Sequence, residues 1–195
     1  MSSSEAARRK LIRLLKLACS GELAASLAYR GHWRSCSKTE EIERIRGIEE
    51  EELVHREDLE QMLTELGEAP SPWLELKAKL IGYPLGFLCH LSGWLLPMYG
   101  AGRLESRNVR EYETAARHAW DAGRTEWVEC LLVMAEVEWD HERYFREKVA
   151  SHPLGRRLRL WPAPPPKENI RRSFHAERGP WQPEALVLTE SAPLT

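Results

Sequence analysis

The sequence predicts an all-α chain, two helical hairpins forming a four-helix bundle with a Pro-rich C-terminal extension, and three observations carry that expectation. Apolar residues recur at steps of three and four over most of residues 1–150, the spacing of a single helix face. No stretch alternates apolar and polar residues for long enough to make a convincing strand. Four helical stretches each carry one glutamate on an otherwise apolar stripe, and a buried lone carboxylate is too costly to recur four times without a common purpose.

The first helix is expected over about Glu5 to Arg34, where Leu15, Ala18, Ala25 and Tyr29 share a face with Glu22. Five of its first sixteen residues are Arg or Lys (Arg8, Arg9, Lys10, Arg13, Lys16), but the Leu and Ile between them keep helical spacing and form no uninterrupted signal-like apolar run. The second helix runs from Glu40 to Leu66, with Ile45, Ile48, Leu59 and Met62 on the face of Glu52. Gly67, Pro70 and Pro72 then mark a stop and a turn. Leu80 to Gly102 follows, 23 residues with no acidic or basic side chain except His90. Pro84, Pro97 and five glycines predict a broken apolar element there, lying in a membrane interface or capping the bundle. From about Arg103 to Val149 the helical spacing returns, with a break near Asp121-Ala-Gly123. Eight of the twelve prolines lie beyond Ser151, so residues 1–150 read as the helical domain and 151–195 as an extension that either packs along it or stays disordered.

Composition narrows the function. With 195 residues, 43% of them hydrophobic and 30% charged, the chain can bury a real core in one globular domain. A formal charge of -2 argues against nucleic acid as the main partner. Cys19, Cys36, Cys89 and Cys130 stand far apart with no C-x-x-C pair, which argues for a reducing, cytoplasmic setting.

The chemistry is concentrated in one constellation. Glu52 precedes His55 by three residues and Glu138 precedes His141 by three, an offset that projects both side chains from neighbouring points of one helix face. A bare Glu-x-x-His says little, since 27 glutamates among 195 residues make it common by chance. Joint placement says more: both pairs lie on apolar stripes, and each is preceded by a helix bearing a solitary stripe glutamate, Glu22 and Glu105. Glu111 and Glu113 compete for the latter role, but Glu105 shares its face with Met98, Ala101, Val109 and Tyr112. Glu22 to Glu52 spans 30 residues, Glu105 to Glu138 spans 33, and a tyrosine follows each lone glutamate by seven, Tyr29 and Tyr112. Four buried carboxylates and two imidazoles call for neutralising cations, and this ligand set is the one known from helical di-iron and di-manganese carboxylate proteins. The oxygen and nitrogen donors suit iron, and no cysteine competes.

GELAASLAYRGH (Gly21–His32), EELVHREDLEQML (Glu51–Leu63) with its proline-containing turn, the uncharged segment before Glu105 and the late EVEWDH together resemble the ferritin-like di-iron proteins of the demethoxyubiquinone hydroxylase type. The resemblance covers about residues 8 to 150. It implies a ferritin-like antiparallel bundle and a di-iron monooxygenase that hydroxylates a quinone-type ring with dioxygen. It further implies Glu22 and Glu105 as terminal ligands, Glu52 and Glu138 as bridging ligands, and His55 and His141 as one nitrogen ligand to each iron. One departure stands out: the family's small, Ala-rich approach to its third glutamate is replaced by YGAGRLESRNVREYE, with Arg103 and Arg107 beside Glu105.

Further expectations follow. The substrate is small and hydrophobic, a polyprenylated quinone precursor in the family reading, and electrons come from an external reductant or reductase because no G-x-G-x-x-G fingerprint is present. The same ligands accommodate manganese. A homo-oligomer, with peripheral contact to the inner face of a membrane, is expected. The competing function is a ferritin- or rubrerythrin-like ferroxidase or peroxidase without an organic substrate. Asp58 and Asp140 are the expected partners of the ligand imidazoles' far nitrogens. His32, His90, His118, His152 and His175 have no partner at ligand spacing and read as surface or core histidines.

Overall fold

A computed structural model describes residues 3–179, and among these the backbone forms six α helices and no strand. They are α1 (Ser3–Ser35), α2 (Thr39–Glu65), α3 (Pro72–Cys89), α4 (Leu95–Asp121), α5 (Val128–Ser151) and α6 (Glu168–Arg178). The chain is thus all-helical, with α1 packed on α2, α3 and α4, and α4 packed on α5.

The stops follow from local chemistry. At the end of α2, Gly67 takes φ +72°, Glu68 N donates to Leu63 O at 2.9 Å and Gly67 N to Thr64 O at 2.9 Å. At the end of α4, Gly123 takes φ +78°, Arg124 N donates to Ala119 O at 2.9 Å and Gly123 N to Trp120 O at 3.0 Å. Both are Schellman endings, in which a left-handed glycine lets the chain turn back and satisfy orphan carbonyls.

The apolar stretch is divided differently from the expectation. α3 runs straight through Pro84 to Cys89, and the break comes at His90–Trp94, where Gly93 has φ +73°. Pro84 is exposed, so the carbonyl it leaves unpaired faces water, where the cost of an interior proline is lowest. Pro97 breaks nothing, because it is the third residue of α4, where an amide proton would have no helical acceptor. α4 therefore begins at Leu95, ahead of the expected Arg103.

α3 touches α1 backbone to backbone. A Cβ on Gly31 would lie 2.2 Å from Gly86 O, and one on Gly82 would lie 2.7 Å from Ala24 O. Arg56 of α2 clamps the start of α3, giving Glu75 two hydrogen bonds at 3.0 and 2.8 Å and Cys19 O of α1 a third at 2.9 Å. The outer face of α3 and its following turn stays uncovered by the described residues, with Leu80 and Phe87 each 65% exposed and Leu91 68%. No helix among the described residues is long and apolar enough to cross a membrane.

Within residues 152–179, Trp161, Ile170 and Phe174 pack onto the helices, and this stretch holds a helix that loss of periodicity did not announce, while the rest of the expected extension, 180–195, lies outside the described residues. α6 sends Ile170 and Phe174 into the core, and Arg171 binds Glu129 and Glu136 of α5. Trp161 is buried and donates its Nε1 hydrogen to Glu142 at 2.6 Å. Gly102 makes room for that indole, since a Cβ there would lie 2.3 Å from Trp161 Cζ2.

Two apolar clusters make up the interior. One contains Leu11, Leu15, Leu59, Leu63, Val109, Ala116, Leu131 and Met134; the other contains Tyr29, Ile45, Ile48, Met98, Phe145 and Val149. On each of α1, α2, α4 and α5 the glutamate singled out above falls between the stretches that feed the two clusters. A polar layer is therefore sandwiched between two apolar storeys.

Candidate metal centre

That layer is built from the six residues the helical spacing picks out. Glu22, Glu52, His55 and Glu138 offer ligand atoms all within 4.8 Å of one another, and so do Glu52, Glu105, Glu138 and His141. Glu52 and Glu138 belong to both groups. All six side chains are buried, with Glu52, Glu138 and His141 at 0% exposure. Each imidazole turns Nδ1 inward: His55 Nδ1 is 3.1 Å from Glu138, and His141 Nδ1 is 3.4 Å from Glu52 and 3.8 Å from Glu138.

The tyrosines are exchanged between hairpins. Tyr29 of α1 donates its hydroxyl hydrogen to Glu105 of α4, and Tyr112 of α4 donates to Glu22 of α1. Asn108 donates to Glu105 at 2.9 Å and to Glu138 at 3.3 Å. Behind His141, Nε2 meets Glu51 at 2.6 Å, and Glu51 is itself held by Arg44 at 3.0 Å.

The electrostatics of the layer are lopsided. Burial pushes the carboxyls of Glu22, Glu52 and Glu105 up, those of Glu52 and Glu105 well above the ordinary range with neighbouring Glu138 adding to the effect. Burial would raise Glu138 too, but the neighbouring imidazoles of His141 and His55, the latter within hydrogen-bond reach at 3.1 Å, outweigh it and hold that carboxyl low. Burial opposes charge on His141, yet the neighbouring Glu138 carboxylate and the hydrogen bond to Glu51 raise it to about 9. Partial burial of Glu51 is likewise overcome by His141 and Arg44, which bring it down to about 2.

Three other buried glutamates show what a settled carboxylate looks like in this fold. Glu41 accepts from Trp94 Nε1, Glu49 from Trp33 Nε1 and Glu142 from Trp161 Nε1, and each has a Lys or Arg alongside. In the layer, by contrast, Glu22 Oε2, both oxygens of Glu52 and His141 Nδ1 are buried without a hydrogen-bond partner. Leaving such atoms unpaired costs about 1–3 kcal/mol for each group. Oxygen and imidazole donors turned on one another, with no thiol among them, fit a pair of divalent cations.

The layer opens to one side. A cavity of about 520 Å³ lies between α1, α3 and α4, with Leu17, Ile81, Leu85, Leu88, Leu96 and Leu104 among its walls and Glu22, Glu105 and Tyr112 also lining it. Its lining is predominantly apolar, the character of a site for an organic ligand. His32 also lines it, stacked on Tyr29 and Phe145 with ring centroids 6.2 and 5.9 Å away. Burial holds this imidazole down at about 4. Because the folded value lies below the unfolded one, about 6.5, the stabilisation is complete above pH 6.5 and is lost as pH falls from there to 4. It amounts to at most about 3 kcal/mol. Urea unfolding of metal-free protein between pH 4 and 7.5 should show the wild type losing that much more stability on acidification than His32→Phe; equal slopes would mean that His32 is not buried neutral.

Some expected partners lie elsewhere. Asp58 faces Cys130 at 3.6 Å and Asp140 pairs with Lys167 at 2.5 Å, so neither serves a ligand imidazole. Glu51 does so for His141, a residue the sequence reading passed over because it lies off the apolar stripe and its side chain is 43% exposed. Arg103 and Arg107 are exposed, and Glu111 lines the cavity while lying outside both ligand groups. No family model, curated protein or solved structure matches the chain.

Proposed function

We propose that this chain is a di-metal carboxylate oxygenase on a ferritin-like four-helix bundle of α1, α2, α4 and α5, hydroxylating the ring of an apolar, quinone-type substrate. The observation that supports it is the coincidence of two four-ligand groups sharing Glu52 and Glu138 with an apolar cavity that reaches Glu22 and Glu105. When bound, a pair of iron ions supplies the redox chemistry that activates dioxygen. One oxygen atom enters the ring and the other leaves as water, with two electrons and two protons from an external reductant or reductase.

The chain's own residues do the rest. Glu52 and Glu138, common to both groups, would be shared by the two ions, while Glu22 and Glu105 would each serve one position and His55 and His141 would each supply one nitrogen. Tyr112 and Tyr29 fix the orientation of Glu22 and Glu105 by taking up one carboxylate oxygen of each. The aliphatic walls keep water from the reacting ring, which strengthens every electrostatic interaction inside. A substrate tail leaves past the exposed apolar face of α3, and the same face suits peripheral contact with a lipid surface.

The test loads the full chain with Fe²⁺ anaerobically, admits oxygen with a chemical reductant, and supplies phenols or quinols with and without an isoprenoid tail, in detergent and with liposomes. Ring hydroxylation favouring the tailed compound is expected. Oxidation of iron with every ring left intact would give the site to ferroxidase chemistry instead.

A further inference from the structure

The two hairpins match in register, so each residue in one half of the site has a counterpart in the other. Glu22 corresponds to Glu105, Tyr29 to Tyr112, Glu52 to Glu138 and His55 to His141. The match fails at two places. The counterpart of Glu51, one residue before the shared glutamate, is Val137. The counterpart of Asn108, three residues after the lone glutamate, is Ala25.

Both failures favour the same ion position. Glu51 takes the far nitrogen of His141 at 2.6 Å and is itself fixed by Arg44, whereas no protein partner holds Nε2 of His55 among the described residues. Asn108 takes the second oxygen of Glu105 at 2.9 Å, so that with Tyr29 both oxygens of Glu105 are held. Glu22 has only Tyr112, and its Oε2 is buried without a partner. A ligand fixed before the ion arrives loses less freedom on binding it, and a carboxylate behind an imidazole makes that imidazole a stronger donor.

Resting on the di-metal reading above, we propose that the two ion positions are unequal: the one formed with Glu105 and His141 fills first and tightly, and the one formed with Glu22 and His55 is weaker and exchangeable. Glu51 and Asn108 are positioning residues that impose the difference. The Glu22 side, with its untethered carboxylate oxygen, is then the side whose coordination rearranges when substrate enters.

The experiment is a titration of chelator-stripped full-length protein with Mn²⁺ alone, following free Mn²⁺ by electron paramagnetic resonance and total binding by calorimetry. Two ions are expected to bind, with constants separated by about tenfold or more. Glu51→Val, which copies the other half, should weaken the first step by about ten- to hundredfold and leave the second alone. Asn108→Ala should act in the same direction, and Val137→Glu should tighten the second step. His141→Ala should abolish the tight step and His55→Ala the weak one. Glu51 is partly exposed and outside both apolar clusters, so its variant keeps the fold, which unchanged helical circular dichroism would verify. Two ions binding with equal constants, or a Glu51→Val titration superimposable on wild type, overturn this inference and leave the oxygenase reading intact. Failure to bind any Mn²⁺ or Fe²⁺ overturns both.

Discussion

Titrated anaerobically with Fe²⁺, the full chain should take up two ions, and the Glu52→Ala, Glu138→Ala double variant should take up none. Each group of four ligands contains both residues, so the pair of substitutions leaves one carboxylate and one imidazole at each position. Two protein ligands are too few to displace the waters of a divalent ion from a buried site, and half of the negative charge that offsets the dication is gone. A terminal variant behaves differently: Glu22→Ala leaves the group containing Glu105 and His141 whole, and one ion should remain. Metal analysis after gel filtration reads the outcome directly. Full iron occupancy in the double variant would mean that the six residues are not the site.

The second large effect inverts the usual cost of altering a buried residue. In chelator-treated protein, Glu52→Met should raise stability by about 1–3 kcal/mol, the penalty of leaving a buried polar group unpaired. For a chain of this length that is a rise of several degrees in Tm. Methionine has nearly the length and flexibility of glutamate and fits between Ile48 and Leu59 without a cavity. Added metal should reverse the order, because each site filled at a hundredfold excess over its Kd contributes about 2.7 kcal/mol to the wild type. Thermal scans with chelator and with Mn²⁺ give both halves of the comparison. A variant less stable than wild type in chelator would mark Glu52 as structural and remove the main support for a metal role.

How much of this was legible in the residues depended on how local each cause was. The six clustered positions could be read because burial on a helix repeats with the helix period, so a charged residue in phase with Ile45, Ile48 and Leu59 is buried whichever helices surround it. The tyrosines' offset was visible too, but not that Tyr29 serves Glu105 and Tyr112 serves Glu22, a matter of which helices face one another. Glu51 lay hidden because it is a neighbour of a ligand in sequence, on a face that reads as solvated, and reaches His141 across 90 residues. Asp58 and Asp140 are close to the imidazoles in sequence, but Cys130 and Lys167 engage their side chains instead. Pro84 and Pro97 misplaced the break because proline counts against a helix only where its missing proton or ring matters, and one sits on an exposed face and the other in a first turn. α6 was obscured by the prolines before it, although Ile170 and Phe174 keep a four-residue step.

The exchange of tyrosines between hairpins reaches beyond the site into the life of the protein in a cell. Since Glu22 finds its tyrosine only on α4, and one oxygen of Glu105 its partner only on α1, docking of the hairpins and completion of the site are one event. Whatever neutralises the layer therefore decides how long the docked form survives. On the di-metal reading, newly made chains that meet metal would close and persist. Those that do not reopen more often along this seam, exposing Leu59, Val109 and Leu131 to proteases. On that reading, metal supply would then set the abundance of the protein, with turnover acting as the sensor.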